Sequence, residues 1–281
     1  MTSKKHCYCI ELLVSAGPRK GNYTARSSAH ELGEDAGGIL SLPDISFFWL
    51  SDGTSHEPVL YEFSSRIFAQ DLGLCYRRAA FEEYEKNADS LSLENILENM
   101  LKRVKTLWKE RLKEKWGQFR DNEREQFLEK LTLCGDNSRR SSWSSTISGG
   151  FILSETMEIH YFNAGDSGGL FTTSADDRVT LIKPNKKRIF IAIDWLHGDE
   201  MPKCTLIRRN IKDEIGKGEQ ISNFAFLTDG NANDLEKFLD NMQGKNFRGI
   251  SHILRRLRQV SYDDKAVLFG SLIQLEDDFQ I

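Results

Sequence analysis

Three aspartates stand where a mostly apolar segment ends in a turn. Ile45–Gly53 reads Ile-Ser-Phe-Phe-Trp-Leu-Ser-Asp-Gly, which is typical of a buried strand that carries Asp52 to its end. The same pattern recurs in two further segments, Phe224–Gly230 with Asp229 and Ile159–Ser167 with Asp166. We expect these strands to lie side by side, because carboxylates so far apart in sequence can form one site only then. Such a set suits Mg²⁺ or Mn²⁺, which prefer oxygen ligands.

The chemistry that carboxylate-bound metal ions support is hydrolysis. Two ions about 3.5–4 Å apart can polarise a shared water for in-line attack on phosphorus, so no protein nucleophile is needed. The sequence contains no H-E-x-x-H zinc motif. A carboxylate-based metal nuclease is a distant alternative, since no basic patch adjoins the motifs.

The elements that must position these residues follow the order strands, two helices, strands, two helices, strand. This order predicts an α+β fold with antiparallel sheets covered by helix pairs. Apolar spacing predicts one helix over Glu57–Tyr84 and one from Leu93 to Trp108, extended towards Phe119, and two more between Asn231 and Ser261. The predicted strands are Tyr8–Val14, Ile39–Leu42, Ile45–Leu50, Gly150–Leu153, Ile159–Asn163, Gly168–Thr173, Arg188–Asp194, Thr205–Arg208 and Ala266–Leu275.

Two polar segments interrupt this order. Asp136–Ser148 is rich in serine and is predicted to be a loop, and residues 195–220 are predicted to form a flap. We predict a single domain over residues 1–281, because 281 residues can bury one large core.

Composition limits the binding partners and the cellular compartment that we expect for the protein. The chain has 39% hydrophobic residues, 28% charged residues and a net charge of −4. This charge gives no overall positive potential that would attract nucleic acid or anionic lipid. Five cysteines without a CxxC pair favour a reducing cytoplasm. No signal peptide and no apolar run of membrane-spanning length is present, so we expect a cytoplasmic protein without membrane or nucleic-acid partners.

Six short motifs, taken in order, resemble those of the metal-dependent (2C-type, PPM) serine/threonine protein phosphatases. The resemblance covers the chain from about Cys9 to Leu275. The motifs are Gly33-Glu34-Asp35-Ala36, Leu50-Ser51-Asp52-Gly53, Ser145-Thr146, Asn163-Ala164-Gly165-Asp166-Ser167, Leu227-Thr228-Asp229-Gly230 and Asp263-Asp264.

The resemblance implies a four-layer α/β/β/α sandwich with a dinuclear Mg²⁺ or Mn²⁺ site where the two antiparallel sheets meet. It implies that Asp52 bridges two core ions, that the Gly53 carbonyl binds one, and that Asp229 and Asp263 bind the other. Glu34 and Asp35 would act through metal-bound water. Asp166 would help to hold a third, weaker ion.

The phosphate-binding position departs from the family pattern. Family members commonly carry an arginine four residues before the position of Glu34, and here that residue is His30, with Arg26 four residues further back. A histidine is neither always charged nor a bidentate donor. We therefore take Asp35, His30 and Arg26 as the candidate catalytic residues. The position after Ser167, often arginine in the family, is Gly168, and His56 follows the Asp52 turn as a candidate acid.

Two functions follow from the resemblance. The first is a metal-dependent phosphomonoester hydrolase that uses a metal-bridging water to release phosphate from phosphoserine and phosphothreonine in proteins, opposing a serine/threonine kinase. The second is a non-catalytic phosphatase-like protein that binds or regulates a partner such as a kinase. His30 and Gly168 favour the second function, and the retained acids favour the first.

Overall fold

The computed structural model describes residues 6–15, 35–53, 65–126, 144–156, 158–165, 167–173, 180–182, 191–192, 207–210, 221–228 and 265–274. Two long helices lie in these ranges, α1 (Ser65–Asn87) and α2 (Leu93–Gln118). The strands in the same ranges are β1 (His6–Ser15), β2 (Ala36–Ser41), β3 (Ile45–Gly53), β4 (Ser144–Leu153), β5 (Ile159–Ala164), β6 (Gly168–Thr173), β7 (Thr180–Ile182), β8 (Ile191–Ala192), β9 (Ile207–Asn210), β10 (Ile221–Leu227) and β11 (Lys265–Gln274).

The strands form two antiparallel sheets. One sheet has five strands in the order β1-β11-β10-β6-β7, and the other has six, β2-β3-β4-β5-β9 with β8 paired to β4. The predicted α+β fold with two antiparallel sheets is confirmed.

The two sheets pack face to face through an apolar core. On β3, alternate residues turn to this core, so Phe48 and Leu50 are fully buried there. The ring of Phe226, from the five-stranded sheet, stacks on Phe48 with centroids 4.9 Å apart and on Tyr161 with centroids 4.5 Å apart. Burying each such side chain stabilises the fold by roughly 1.5–3 kcal/mol, so this core holds the sheets together.

The outer face of the six-stranded sheet is covered by the antiparallel pair of helices. Ser92 caps the start of α2, because its side chain accepts a hydrogen bond from the Asn95 amide. The two helices are joined by Asp71 of α1, whose Oδ2 accepts hydrogen bonds from Trp108 Nε1 at 3.0 Å and from an Arg111 guanidinium nitrogen at 2.7 Å. Both predicted helices of this pair are confirmed within residues 65–118.

Trp49 fixes helix α1 against the sheet. A Cβ placed on Gly73 of α1 would lie 2.0 Å from Trp49 Nε1, and one on Gly38 of β2 would lie 1.9 Å from Trp49 Cζ2. The indole therefore fills the space that side chains at both positions would occupy. The helix approaches the sheet this closely only because residue 73 is glycine.

We expect Gly73→Ala to lower the free energy of unfolding by about 1–3 kcal/mol, because an overpacked core must shift the buried indole. Alanine by itself favours a helix by about 1 kcal/mol, and the control variant below measures that gain. Gly117→Ala in α2 is the matched control, since a Cβ there meets nothing within 4 Å. Urea denaturation of both variants measures the difference. A Gly73→Ala protein as stable as Gly117→Ala would contradict this packing.

Some predicted boundaries were wrong. The serine-rich segment Asp136–Ser148 was predicted to be a loop throughout, but β4 already begins at Ser144 and its first residues pair with β3. Within the predicted flap, Ile207–Asn210 form β9 at the edge of the six-stranded sheet, two residues later than the predicted strand. The predicted helices between Asn231 and Ser261 lie outside the described residues. No helix in the described ranges is long and apolar enough to cross a lipid bilayer.

Candidate functional site

Four strand ends of the six-stranded sheet lie at one end of the sandwich. Neighbouring strands are antiparallel, so the start of β2 lies beside the end of β3. The start of β4 lies next to the end of β3 and also next to the end of β5. The pairs that show this are Ala36 with Ser51, Gly53 with Ser145, and Ile147 with Ala164. Each of the predicted motifs on this sheet therefore borders the same end.

The five-stranded sheet brings further strand ends together. Leu227, the last residue of β10, is opposite Gly168 at the start of β6 and opposite Val267 near the start of β11. In the sequence, Thr228 and Asp229 follow β10, and Asp263 precedes β11 by two residues. The described neighbours of these two predicted acids therefore lie at one end of this sheet.

A hydrogen bond across the sandwich shows that these are the same end. The Thr228 hydroxyl donates to Asp35 Oδ2 at 2.6 Å, and the Thr228 Oγ1 accepts from the Ala266 amide at 2.9 Å. Thr228 is fully buried and Asp35 is 5% exposed. Asp35, which precedes β2, is thus joined to the ends of β10 and β11 in the other sheet.

Asp52 lies at this end with its side chain turned towards the space between the sheets. The alternation that places Phe48 and Leu50 in the inter-sheet core places Asp52 on the same face of β3. Asp52 is half-buried, and its neighbour Gly53 is buried. The Ser145 hydroxyl donates to the Asp52 carbonyl oxygen at 2.7 Å, so the backbone at the end of β3 is held by β4.

The connection from β5 to β6 passes from one sheet to the other at this end. Asn163 Nδ2 donates to the Ser167 carbonyl oxygen at 2.7 Å, which closes the turn. Gly165 in this turn has a φ of 136°, a backbone conformation that favours glycine. The backbone before and after position 166 is therefore constrained by the Asn163–Ser167 hydrogen bond and by the positive φ of Gly165.

Buried oxygen atoms line the inter-sheet face next to Asp52. Thr146 is the register partner of Asp52, and Ser148 is the partner of Asn163, so their side chains share that face. Within the described residues, Thr146 Oγ1, Ser148 Oγ and Asn163 Oδ1 have no hydrogen-bond partner, and neither does Ser167 Oγ. Buried polar atoms are costly to leave unsatisfied, so bound water or another polar group is expected beside them.

These donors fit a hard divalent cation. The oxygens of Asp52, Asp35 and the nearby hydroxyl groups are of the type that Mg²⁺ and Mn²⁺ prefer, and such ions usually retain several waters. In the described ranges, no cluster of three or more histidine, cysteine, aspartate or glutamate side chains could hold a metal ion. Of the predicted carboxylates, the described ranges include Asp35 and Asp52.

Of the predicted site residues, the structure brings Asp35, Asp52 and Gly53 to one end of the sandwich. The other predicted site residues lie outside the described residues; they are Arg26, His30, Glu34, Asp166, Asp229 and Asp263. Sequence analysis assigned no role to Thr228, Ser145 or Asn163. Their presence in the matched motifs was the available signal.

No protein-family model and no curated protein sequence matches the chain. Solved structures do match. The PP2C phosphatase domain of the cell-fate determinant SpoIIE from Bacillus subtilis, with a fragment of its regulatory domain, has a TM-score of 0.54 at 9% identity, over 98% of this chain and 66% of that one.

Two further matches have lower TM-scores. The serine/threonine phosphatase PstP from Mycobacterium tuberculosis is 13% identical with a TM-score of 0.48, over 94% of this chain and 98% of that one. RsbX in complex with magnesium is 11% identical with a TM-score of 0.49, over 95% and 96%. Together with the two packed antiparallel sheets, the SpoIIE match shows that this chain has the fold of the 2C-type phosphatase domains.

Proposed function

We propose that the chain is a Mg²⁺- or Mn²⁺-dependent phosphomonoester hydrolase that removes phosphate from phosphoserine and phosphothreonine in proteins. The observation that supports this proposal is the meeting of strand ends from both sheets, joined by the hydrogen bond between Thr228 and Asp35. In the sequence, each predicted carboxylate lies within three residues of one of these strand ends. The fold agrees with this chemistry but does not by itself establish it.

Each candidate residue has a role in this proposal. Asp52, the Gly53 carbonyl, Asp229 and Asp263 would hold two ions, Glu34 would act through metal-bound water, and Asp166 would hold a third ion more loosely. When bound, such ions supply an activated water and positive charge for in-line displacement at phosphorus. Asp35 is held in one orientation by Thr228. Arg26 would supply the charged donor that a phosphate dianion needs, and His30 would supply a further hydrogen-bond donor.

The partial exposure of Asp52 agrees with a protein-borne substrate. Asp52 is half-buried at an end of the sandwich. A phosphorylated side chain on a protein surface can therefore approach this end. We propose a phosphoprotein substrate that is phosphorylated by a serine/threonine kinase.

A second candidate function is a non-catalytic phosphatase-like protein that binds a partner. The observation that favours it is Gly168, which is buried at the start of β6 opposite Leu227 where the family often carries an arginine. The histidine at position 30 favours it too. Retention of the carboxylates favours catalysis.

We expect the purified chain to hydrolyse p-nitrophenyl phosphate and a phosphothreonine peptide in the presence of Mn²⁺. EDTA should abolish turnover, and Mn²⁺ should restore it better than Ca²⁺, because Ca²⁺ is larger and does not hold tight octahedral geometry. Release of p-nitrophenol and of phosphate measures both reactions. Turnover that persists in EDTA would exclude the metal-dependent reaction. A chain that binds Mn²⁺ but hydrolyses neither substrate would support the non-catalytic function.

A further inference from the structure

The two halves of the candidate site lie on different sheets. Asp35 directly precedes β2 and Asp52 lies in β3 of the six-stranded sheet, whereas β10 and β11 belong to the five-stranded sheet. Between the sheets the core is apolar and largely aromatic, with the Phe226 ring stacked on the ring of Phe48. Apolar contacts of this kind are not directional, so they constrain the relative position of the sheets less specifically than a hydrogen bond does.

Thr228 adds a directional contact at the end where the site lies. Its single hydroxyl proton is donated to Asp35 Oδ2 over 2.6 Å, a length typical of a hydrogen bond to an ionised carboxylate. The Thr228 oxygen accepts from the Ala266 amide, and the Thr228 amide donates to the Ala266 carbonyl oxygen at 3.1 Å. One side chain thus joins β10, β11 and the residue that precedes β2.

We propose that Thr228 is a positioning residue that sets the spacing of the two sheets at the metal centre. The inference rests on the proposed function, because it assumes that ions bind between these strand ends. A shift of the five-stranded sheet relative to Asp35 would change the separation of the ligand-bearing segments. Mg²⁺ and Mn²⁺ tolerate little change in ligand distance, so the hydroxyl group should raise metal affinity without contacting the metal.

The test compares two threonine-to-valine substitutions in the same sheet. Thr228→Val keeps the shape of the side chain and removes the hydroxyl group. Thr172→Val is the matched control, because Thr172 is also buried, its Oγ1 accepts a hydrogen bond from Asn223 Nδ2, and it lies at the far end of β6. Thr228→Ser retains the hydroxyl group and should rescue the wild-type behaviour.

The measurement is the dissociation constant for Mn²⁺, obtained by calorimetry or by electron paramagnetic resonance on protein that circular dichroism shows to be folded. We expect Thr228→Val to weaken Mn²⁺ binding about tenfold or more, the range seen when a residue that supports metal ligands is removed. Thr172→Val and Thr228→Ser should stay within about threefold of wild type, because neither removes the contact to Asp35.

Several outcomes would overturn the inference. These are wild-type affinity in Thr228→Val, an equal loss in Thr172→Val, and no rescue by serine. Thr228→Ala provides the same measurement if the valine variant does not fold, and failure of both to fold would make Thr228 a folding residue only. The proposed function fails separately, if wild-type protein binds Mn²⁺ but does not hydrolyse phosphate esters.

Discussion

Replacing Asp52 with asparagine is expected to lower the proposed phosphatase activity by at least about a hundredfold. Asp52 lies at the end of β3 on the face that turns to the inter-sheet space, beside buried hydroxyl groups. The substitution keeps the size of the side chain and removes its negative charge. Loss of that charge weakens the attraction for divalent cations and raises the pKa of a water that they would polarise. The measurement is kcat/KM with a phosphothreonine peptide, together with Mn²⁺ titration.

The control lies at the other end of the same strand. Asp44 is exposed in the turn before β3, and it accepts a hydrogen bond from the Tyr84 hydroxyl at 2.7 Å. Asparagine can still accept this bond, so Asp44→Asn should retain activity within about twofold of wild type, as is usual for an exposed position. Near-wild-type turnover in folded Asp52→Asn would refute the assignment of Asp52 to the metal centre.

The sequence predicted those strands and helices whose structure is determined by the local spacing of apolar residues. β6 was predicted as Gly168–Thr173, with the bounds that the structure has. The apolar spacing from Leu93 to Trp108 marks the face of α2 that turns to the core shared with α1 and the sheet, with Ile96, Met100 and Val104 fully buried. These segments were predictable because side-chain periodicity follows directly from strand and helix geometry.

Ser144–Ser148 were not predictable as a strand from their composition. Serine-rich segments are typical of loops. Here β4 lies between β3 and β5, so its backbone pairs on both sides, and Ser145, Thr146 and Ser148 are fully buried. Tertiary position overrides local preference in this case. The burial of these hydroxyl groups is what surrounds Asp52 with oxygen atoms.

The candidate site was predictable in its residue types but not in its internal contacts. An aspartate before a glycine turn is visible in the sequence at Asp52. The bond between Asp35 and Thr228 joins residues 193 positions apart, and no local pattern indicates it. It follows only from the packing of two sheets, which brings their strand ends together.

Gly150→Ala should have the largest effect on stability, with a loss of about 3–5 kcal/mol in the free energy of unfolding. A Cβ at this position would lie 1.8 Å from the His160 carbonyl oxygen and 3.1 Å from the Tyr161 Cα, both backbone atoms of the paired strand β5. A backbone in the middle of a sheet cannot move aside as a flexible side chain can. The strands must separate, which breaks the ladder that leads to the turn after Ala164.

The Tyr76 hydroxyl adds to the expected loss. It donates to the Gly150 carbonyl oxygen at 2.7 Å and anchors α1 to β4. Burial raises the pKa of Tyr76, so the phenol keeps its proton and the bond persists at neutral and alkaline pH. A shift of β4 that relieves the clash with β5 would lengthen this bond, so the helix pair and the sheet are disturbed together.

Gly37→Ala is the matched comparison for this prediction. A Cβ at Gly37 would come within 3.0 Å of the side-chain atoms Leu12 Cδ1 and Leu50 Cδ2 and within 3.2 Å of the Trp49 carbonyl oxygen, so no backbone atom would be approached as closely as at Gly150. We expect a loss of about 1 kcal/mol there. Urea unfolding followed by circular dichroism compares the two variants. Equal stability of Gly150→Ala and Gly37→Ala would mean that β4 and β5 do not approach each other as closely as this pairing requires.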